Sequence, residues 1–129
     1  MDGLADPSVR FFSARDHDGR LLAVGALKVL DAGHGELKSM HTASAARGTG
    51  VGAAVLAHLL RAARDEGLRR VSLETGSMES FAAARRLYAR AGFAECPPFG
   101  DYAPSAASTF MTRSLEEPSP VPRGAPRAP

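Results

Sequence analysis

Three glycines alternate at Gly48, Gly50 and Gly52, and the residues after them have helical periodicity. That junction constrains the chain more than any other feature of it. Glycine lets the backbone come close to a bound group because no Cβ intervenes. The start of a helix offers N–H groups without intrahelical acceptors and the positive end of the peptide dipoles. Together they predict an anion site suited to a pyrophosphate across Arg47-Gly48-Thr49-Gly50-Val51-Gly52, with Arg47 as a charged donor at its rim. The helix should open at Gly50 or Val51 and run to about Glu66. Its apolar face is Val51, Val55, Leu59 and Ala62, and Gly67 is suited to end it.

Upstream of the glycines the pattern is that of strands. Val9 to Arg15 is a short strand, followed by Asp16-His17-Asp18-Gly19, whose Asp-Gly pair signals a hairpin turn. Arg20 to Leu30 is a second, apolar strand, and Gly25 within it predicts a bulge or a close backbone approach. Asp31 to Gly35 reads as a turn and Glu36 to Thr42 as a third strand. Ala43 to Arg47 is a loop. Downstream, Arg69 to Glu74 is a strand with Val71 and Leu73 on one face. Ser77 or Ser80 could cap a second helix carrying Phe81, Ala84, Leu87, Tyr88 and Ala91 on one stripe, with Gly92 at its end. A last strand fits Thr109 to Thr112. The order β-β-β-loop-α-β-α-β is that of an α/β (α+β) domain with a mixed, mostly antiparallel sheet flanked by helices. The segment from Glu36 to Glu74 should form a crossover of parallel strands.

The 129 residues suit one domain, read as residues 1–115. The tail from 116 to 129 is dense in proline with Val121 as its one large apolar residue, so it is expected to be disordered. Sixteen basic residues against 14 acidic ones give a balance that points to neither nucleic acid nor membrane. Cys96 is the one cysteine, so no internal disulfide can form. The start of the chain lacks a basic region followed by an apolar run, and a cytoplasmic protein is expected. Histidines at 17, 34, 41 and 58 are scattered without zinc spacing, so no metal site is expected. No G-x-S-x-G turn supports a serine hydrolase.

Two chemistries use a glycine loop of this kind. Gly48-x-Gly50-x-x-Ala53 satisfies the dinucleotide fingerprint, and Glu74 lies near where a ribose-binding acid would sit. The fingerprint, however, should follow the first strand of its domain directly. Here a loop intervenes and antiparallel strands come first.

The alternative is coenzyme A. Arg47-Gly48-Thr49-Gly50-Val51-Gly52 resembles the pyrophosphate signature of the GNAT N-acetyltransferases, and Leu87-Tyr88-Ala89-Arg90-Ala91-Gly92-Phe93 resembles that family's Leu-Tyr…Gly-Phe signature. The two stand in the family's order, separated by one strand. Ser72 to Met78, Pro98 to Tyr102 and Phe110 to Arg113 are similar to one bacterial branch of acetyltransferases. The resemblance covers about residues 9 to 115.

The resemblance implies an acetyl-CoA-dependent N-acetyltransferase acting on a primary amine of a small molecule or peptide. Met40, His41 and Thr42 would lie along the pantetheine arm, and Arg47, Gly48, Thr49, Gly50, Val51 and Gly52 would hold the pyrophosphate. The thioester would lie where the sheet splays between the third and fourth strands. Tyr88 matches the tyrosine that gives a proton to the leaving sulfur. Glu36 matches a strand glutamate that deprotonates the amine, with Glu74 as second candidate. Asp101 and Tyr102, after the stiff Pro97-Pro98-Phe99-Gly100, could line the acceptor pocket. Relatives usually carry a strand and helices ahead of the Val9–Leu30 hairpin, so a shortened N-terminus is expected. A truncated, non-catalytic CoA-binding fold is therefore the competing reading, with an NAD-type dinucleotide domain behind it. Exposed sheet edges and a missing wall would favour a homodimer. Many relatives have an asparagine in contact with the coenzyme where this chain has Phe81.

Overall fold

The computed structural model describes residues 8–116. The proline-rich tail expected at 116–129 lies outside them from residue 117 onward. Six strands, β1 (Val9–Arg15), β2 (Leu21–Asp31), β3 (His34–Thr42), β4 (Arg70–Gly76), β5 (Ala94–Glu95) and β6 (Ser108–Ser114), form one sheet in the order β1-β2-β3-β4-β6-β5. All neighbours are antiparallel except β3 and β4, whose parallel pairing is bridged by helix α1 (Val51–Asp65). Helix α2 (Ala82–Arg90) joins β4 to β5. The expected mixed, mostly antiparallel fold is the one observed.

The local chemistry explains most boundaries. Both helices end in a Schellman motif. Leu68 N–H donates to Ala63 C=O and Gly67 N–H to Arg64 C=O, while Phe93 N–H donates to Tyr88 C=O and Gly92 N–H to Ala89 C=O. The Tyr88 and Phe93 rings then meet edge to face at 5.9 Å, the apolar contact that accompanies such an end. Other boundaries moved. β3 begins two residues early, at His34, because the turn is confined to Ala32 and Gly33. Neither Ser77 nor Ser80 caps α2. A 3₁₀ turn, Glu79–Phe81, leads into it and no side chain bonds its first N–H groups. Arg85 instead secures that entry, donating to the carbonyls of Gly76 at 2.6 Å and Met78 at 3.0 Å. Phe81 does not join the core stripe; it is 44% exposed and its ring lies on Gly76, where an added Cβ would meet it at 2.2 Å.

The core lies between the helices and one face of the sheet. Leu27, Leu37, Val71 and Leu73 from the strands meet Leu56, Leu59, Leu60 and Ala63 of α1. Leu56, Leu59, Leu27 and Leu73 are almost wholly buried, and each contributes about 2–3 kcal/mol by leaving water. By strand alternation His34, Glu36, Ser72, Glu74, Phe110 and Thr112 project from the opposite face. There His34 Nε2 and Ser72 Oγ lie 2.7 Å apart, and Ser72 Oγ and Thr112 Oγ1 2.8 Å apart. Among the described residues no helix is long and apolar enough to cross a membrane.

Candidate active site

A β-bulge opens the site. Val24 pairs with His41 and Ala26 with Lys38, so Gly25 on β2 stands opposite both Ser39 and Met40. Ser39 takes φ 58°, the one non-glycine residue at positive φ among those described. A bulge of this kind bends its strand. Past it β3 leaves β4: the two pair from His34 with Arg70 only as far as Leu37 with Leu73. β3 stays on β2 as far as Thr42 opposite Ala23, and β4 stays on β6 as far as Gly76 opposite Ser108. The facing edges of Lys38–Thr42 and Glu74–Gly76 are thus unpaired with each other, and the sheet splays as expected.

The glycine loop stands at the far end of that splay. A 3₁₀ turn, Ser44–Ala46, follows β3, and Gly48 and Gly50 take φ 79° and 88°. Gly50 is the N-cap of α1, with no side-chain cap and no acidic residue in the first turn. The first helical bond runs from Ala54 N–H to Gly50 C=O, which leaves the N–H groups of Val51, Gly52 and Ala53 without intrahelical acceptors. A Cβ at Gly48 or Gly50 would find nothing within 4 Å, so the space above the loop is open. Arg47 is exposed, and its Nε donates to Thr42 C=O at 3.4 Å. Open space, free donors and no competing acid fit an anionic group such as a pyrophosphate.

Glu36 lies on β3, one residue before the last β3–β4 pair. The residue is 4% exposed, which rules out a solvated surface acid. Tyr102 Oη donates to its Oε2 at 2.6 Å, and Lys38 Nζ lies 3.6 Å from the same oxygen. Glu74 is on the same face, one residue beyond the last pair. It is exposed, accepts a hydrogen bond from Ser108 Oγ, and forms no salt bridge among the described residues. Tyr102 packs against Phe99 and Phe110, with centroids 5.2 and 5.4 Å away. Its phenol is pushed well above the usual range, first by burial, then by the hydrogen bond and charge of Glu36 and by the charge of Glu74.

Tyr88 lies on the helix side of the sheet, 6% exposed, and burial pushes its phenol up to about 12. Its hydroxyl has no hydrogen-bond partner among the described residues. The neighbouring Leu87 reaches the loop, with Cδ2 3.7 Å from the position of a Cβ on Gly52. Of the remaining expected residues, Met40 turns to the core beside Gly25, His41 is exposed, and Thr42 Oγ1 adjoins Gly52. Asp101, next to Tyr102 in the chain, is exposed and forms no hydrogen bond or salt bridge among the described residues. Sequence reasoning missed Lys38, Ser108 and Phe110. Their only signal was the strand alternation that puts them on one face.

The family model for the acetyltransferase (GNAT) family matches residues 2–93. The chain belongs to the GNAT family. It is 46% identical over 115 residues to the N-acetyltransferase YsnE of Bacillus subtilis, covering 89% of this chain and 76% of that one. It is similar to the solved structure of an acyl-CoA N-acyltransferase candidate from Klebsiella pneumoniae, at 31% identity and TM-score 0.79, covering 84% of this chain and 74% of the other. The fold, at 15% identity and TM-score 0.71, is also that of PaiA N-acetyltransferase from Thermoplasma acidophilum solved in complex with coenzyme A, covering 87% and 64%. This GNAT chain is therefore an acetyltransferase. The dinucleotide alternative has no support, because the 3₁₀ turn separates the glycines from β3 and three antiparallel strands precede them.

Proposed function

We propose that the protein transfers the acetyl group of acetyl-CoA to a primary amine of a small molecule or peptide, across the gap between β3 and β4. The observation that carries this reading is the gap itself, with an anion-binding loop at one end and a buried carboxylate at the other. Acetyl-CoA, when bound, supplies an acetyl group already activated as a thioester. The N–H groups of Gly48 and of Gly50 to Gly52 and the Arg47 guanidinium hold its pyrophosphate, Thr49 being tied back to Ala46 C=O through its own N–H and hydroxyl, and the unpaired edge at Met40, His41 and Thr42 lines its arm. Glu36 takes a proton from the acceptor amine, and Glu74 and Tyr102 border the acceptor's approach with Asp101 at the rim. Tyr88 is protonated at neutral pH, and its hydroxyl, unpartnered among the described residues, is the acid for the leaving sulfur.

The test is thiol release from acetyl-CoA across a panel of primary amines, with Glu36→Gln and Tyr88→Phe alongside. Glu36→Gln should lower kcat/KM by about 10²–10⁴-fold, the usual range for losing a general base. Tyr88→Phe should keep the KM for acetyl-CoA and lower kcat. Saturable acetyl-CoA binding with no thiol release for any amine would favour the non-catalytic reading. Full turnover in Glu36→Gln would move the base elsewhere.

A further inference from the structure

The two oxygens of Glu36 are not equivalent. Both of its contacts run to Oε2: the Tyr102 hydroxyl at 2.6 Å and the Lys38 ammonium at 3.6 Å. Among the described residues nothing bonds Oε1, although the residue is 4% exposed. A buried carboxylate oxygen left without a donor is costly unless something else occupies it. Tyr102 can act only as donor here, because an ionised carboxylate only accepts.

The chain holds Tyr102 firmly in that role. The segment between β5 and β6 crosses the open face of the sheet and is tied at both ends. Cys96 N–H donates to Phe110 C=O at 2.8 Å, and Ser77 N–H donates to Ala107 C=O at 3.0 Å. Within it Tyr102 N–H donates to Phe99 C=O at 3.1 Å, closing a turn through Gly100 at φ 58°. The rings of Phe99, Tyr102 and Phe110 pack mutually, and His34 adds a fourth ring 5.7 Å from Phe99. The hydroxyl is thereby aimed at one carboxylate oxygen from a residue 66 positions away in the chain.

We propose that Tyr102 is a positioning residue: by occupying Oε2 it fixes the rotation of the Glu36 carboxylate and leaves Oε1 as the atom that takes the acceptor's proton. In that step the N–H bond of the acceptor breaks, its electron pair stays on nitrogen, and an O–H bond forms at Oε1. This rests on the assignment of Glu36 as base and adds which atom acts and what holds it. Without Tyr102 only the longer contact to the half-exposed Lys38, at 3.6 Å, remains on Oε2; the carboxylate can turn about its last torsion, which has broad wells, and Oε1 loses its aim.

The test is a double-mutant cycle on Glu36→Gln and Tyr102→Phe. Phenylalanine keeps the ring packing and removes only the donor. Wild type, both single variants and the double variant are compared for kcat, for KM of acetyl-CoA and of the best amine, and for melting temperature. Tyr102→Phe should lower kcat by about 10- to 100-fold, the worth of a hydrogen bond to a charged group, with KM for acetyl-CoA within about twofold. In the Glu36→Gln background the same change should cost no more than about twofold, because the atom it positions is no longer a base. A merely structural role would cost the same in both backgrounds and would lower the melting temperature in both, and that result overturns the proposal. So does wild-type kcat in Tyr102→Phe. Wild-type kcat in Glu36→Gln would instead remove the base assignment, and the positioning role with it.

Discussion

Gly25→Ala should strain the bulge that opens the gap. A Cβ at Gly25 would lie 2.7 Å from Met40 Sδ, 2.8 Å from Leu59 Cδ1 and 3.3 Å from Val55 Cγ1. Comfortable carbon contacts need about 3.5–4.0 Å, so two side chains must each retreat by about 0.7–1.3 Å. Met40 is half-buried and flexible and can give way, but Leu59 is fully buried in the core. Overpacking of this kind costs about 1–3 kcal/mol. Replacing glycine in a strand returns about 0.5–1 kcal/mol of backbone entropy. The net loss is about 0–2.5 kcal/mol and centres near 1 kcal/mol, a fall in melting temperature of about 4–6 °C for a domain of this size. The residues displaced are those of the bulge and of α1, so KM for acetyl-CoA should rise as well. Met40→Ala added to Gly25→Ala should recover part of both losses, because it removes the closest contact. Thermal unfolding by circular dichroism and steady-state kinetics read the two effects. A Gly25→Ala protein that melts no lower than wild type with unchanged KM would refute the reasoning that this position must lack a side chain.

Two further outcomes follow from the loop and from the buried phenol. Gly50→Asp puts a side chain at φ 88° in open space, so the fold should lose only about 1–2 kcal/mol, while a carboxylate among the free N–H groups should raise KM for acetyl-CoA more than about tenfold; unchanged KM would mean the loop is not the pyrophosphate site. Tyr88 titrates at about 12 in the folded chain against an ordinary 10.0, so the folded form keeps a proton that the unfolded chain loses in between. Its stabilisation is complete below pH 10 and falls by about 3 kcal/mol as pH rises through 12. Urea unfolding at pH 9 and pH 12 should show that fall in wild type and a smaller one in Tyr88→Phe, and equal falls would contradict it.

Much of this protein is local enough to be read along the chain. The alternating glycines at 48, 50 and 52 marked the loop, and the periodicity of Val55, Leu59 and Ala62 marked α1. Gly67 and Gly92 marked the helix ends, because a Schellman turn involves only residues within one turn of its glycine. Gly25 announced a bulge or a close approach and is both. The order of the two signatures was sufficient for the family. Local signals failed at the entry to α2. There serine propensity suggested a cap, but Arg85, reaching back to Gly76 and Met78, closes the entry instead.

The sequence by itself thus determined the elements, the glycine loop and the family, because each depends on residues within a few positions of one another. Tertiary structure decided how the acid residues are used. Only folding shows that Glu36 is buried rather than solvated, that Glu74 bonds Ser108, and that Tyr102 rather than Asp101 meets Glu36. Those contacts join β3, β4, β6 and the segment before β6. Their geometry is set by strand register and by the bend at Ser39, so a shift of one residue would send Glu36 into the core and Leu37 to the open face. Alternation along each strand marks its two faces, but which residues of β3, β4 and the segment before β6 stand opposite one another comes from the packing of the whole sheet against α1.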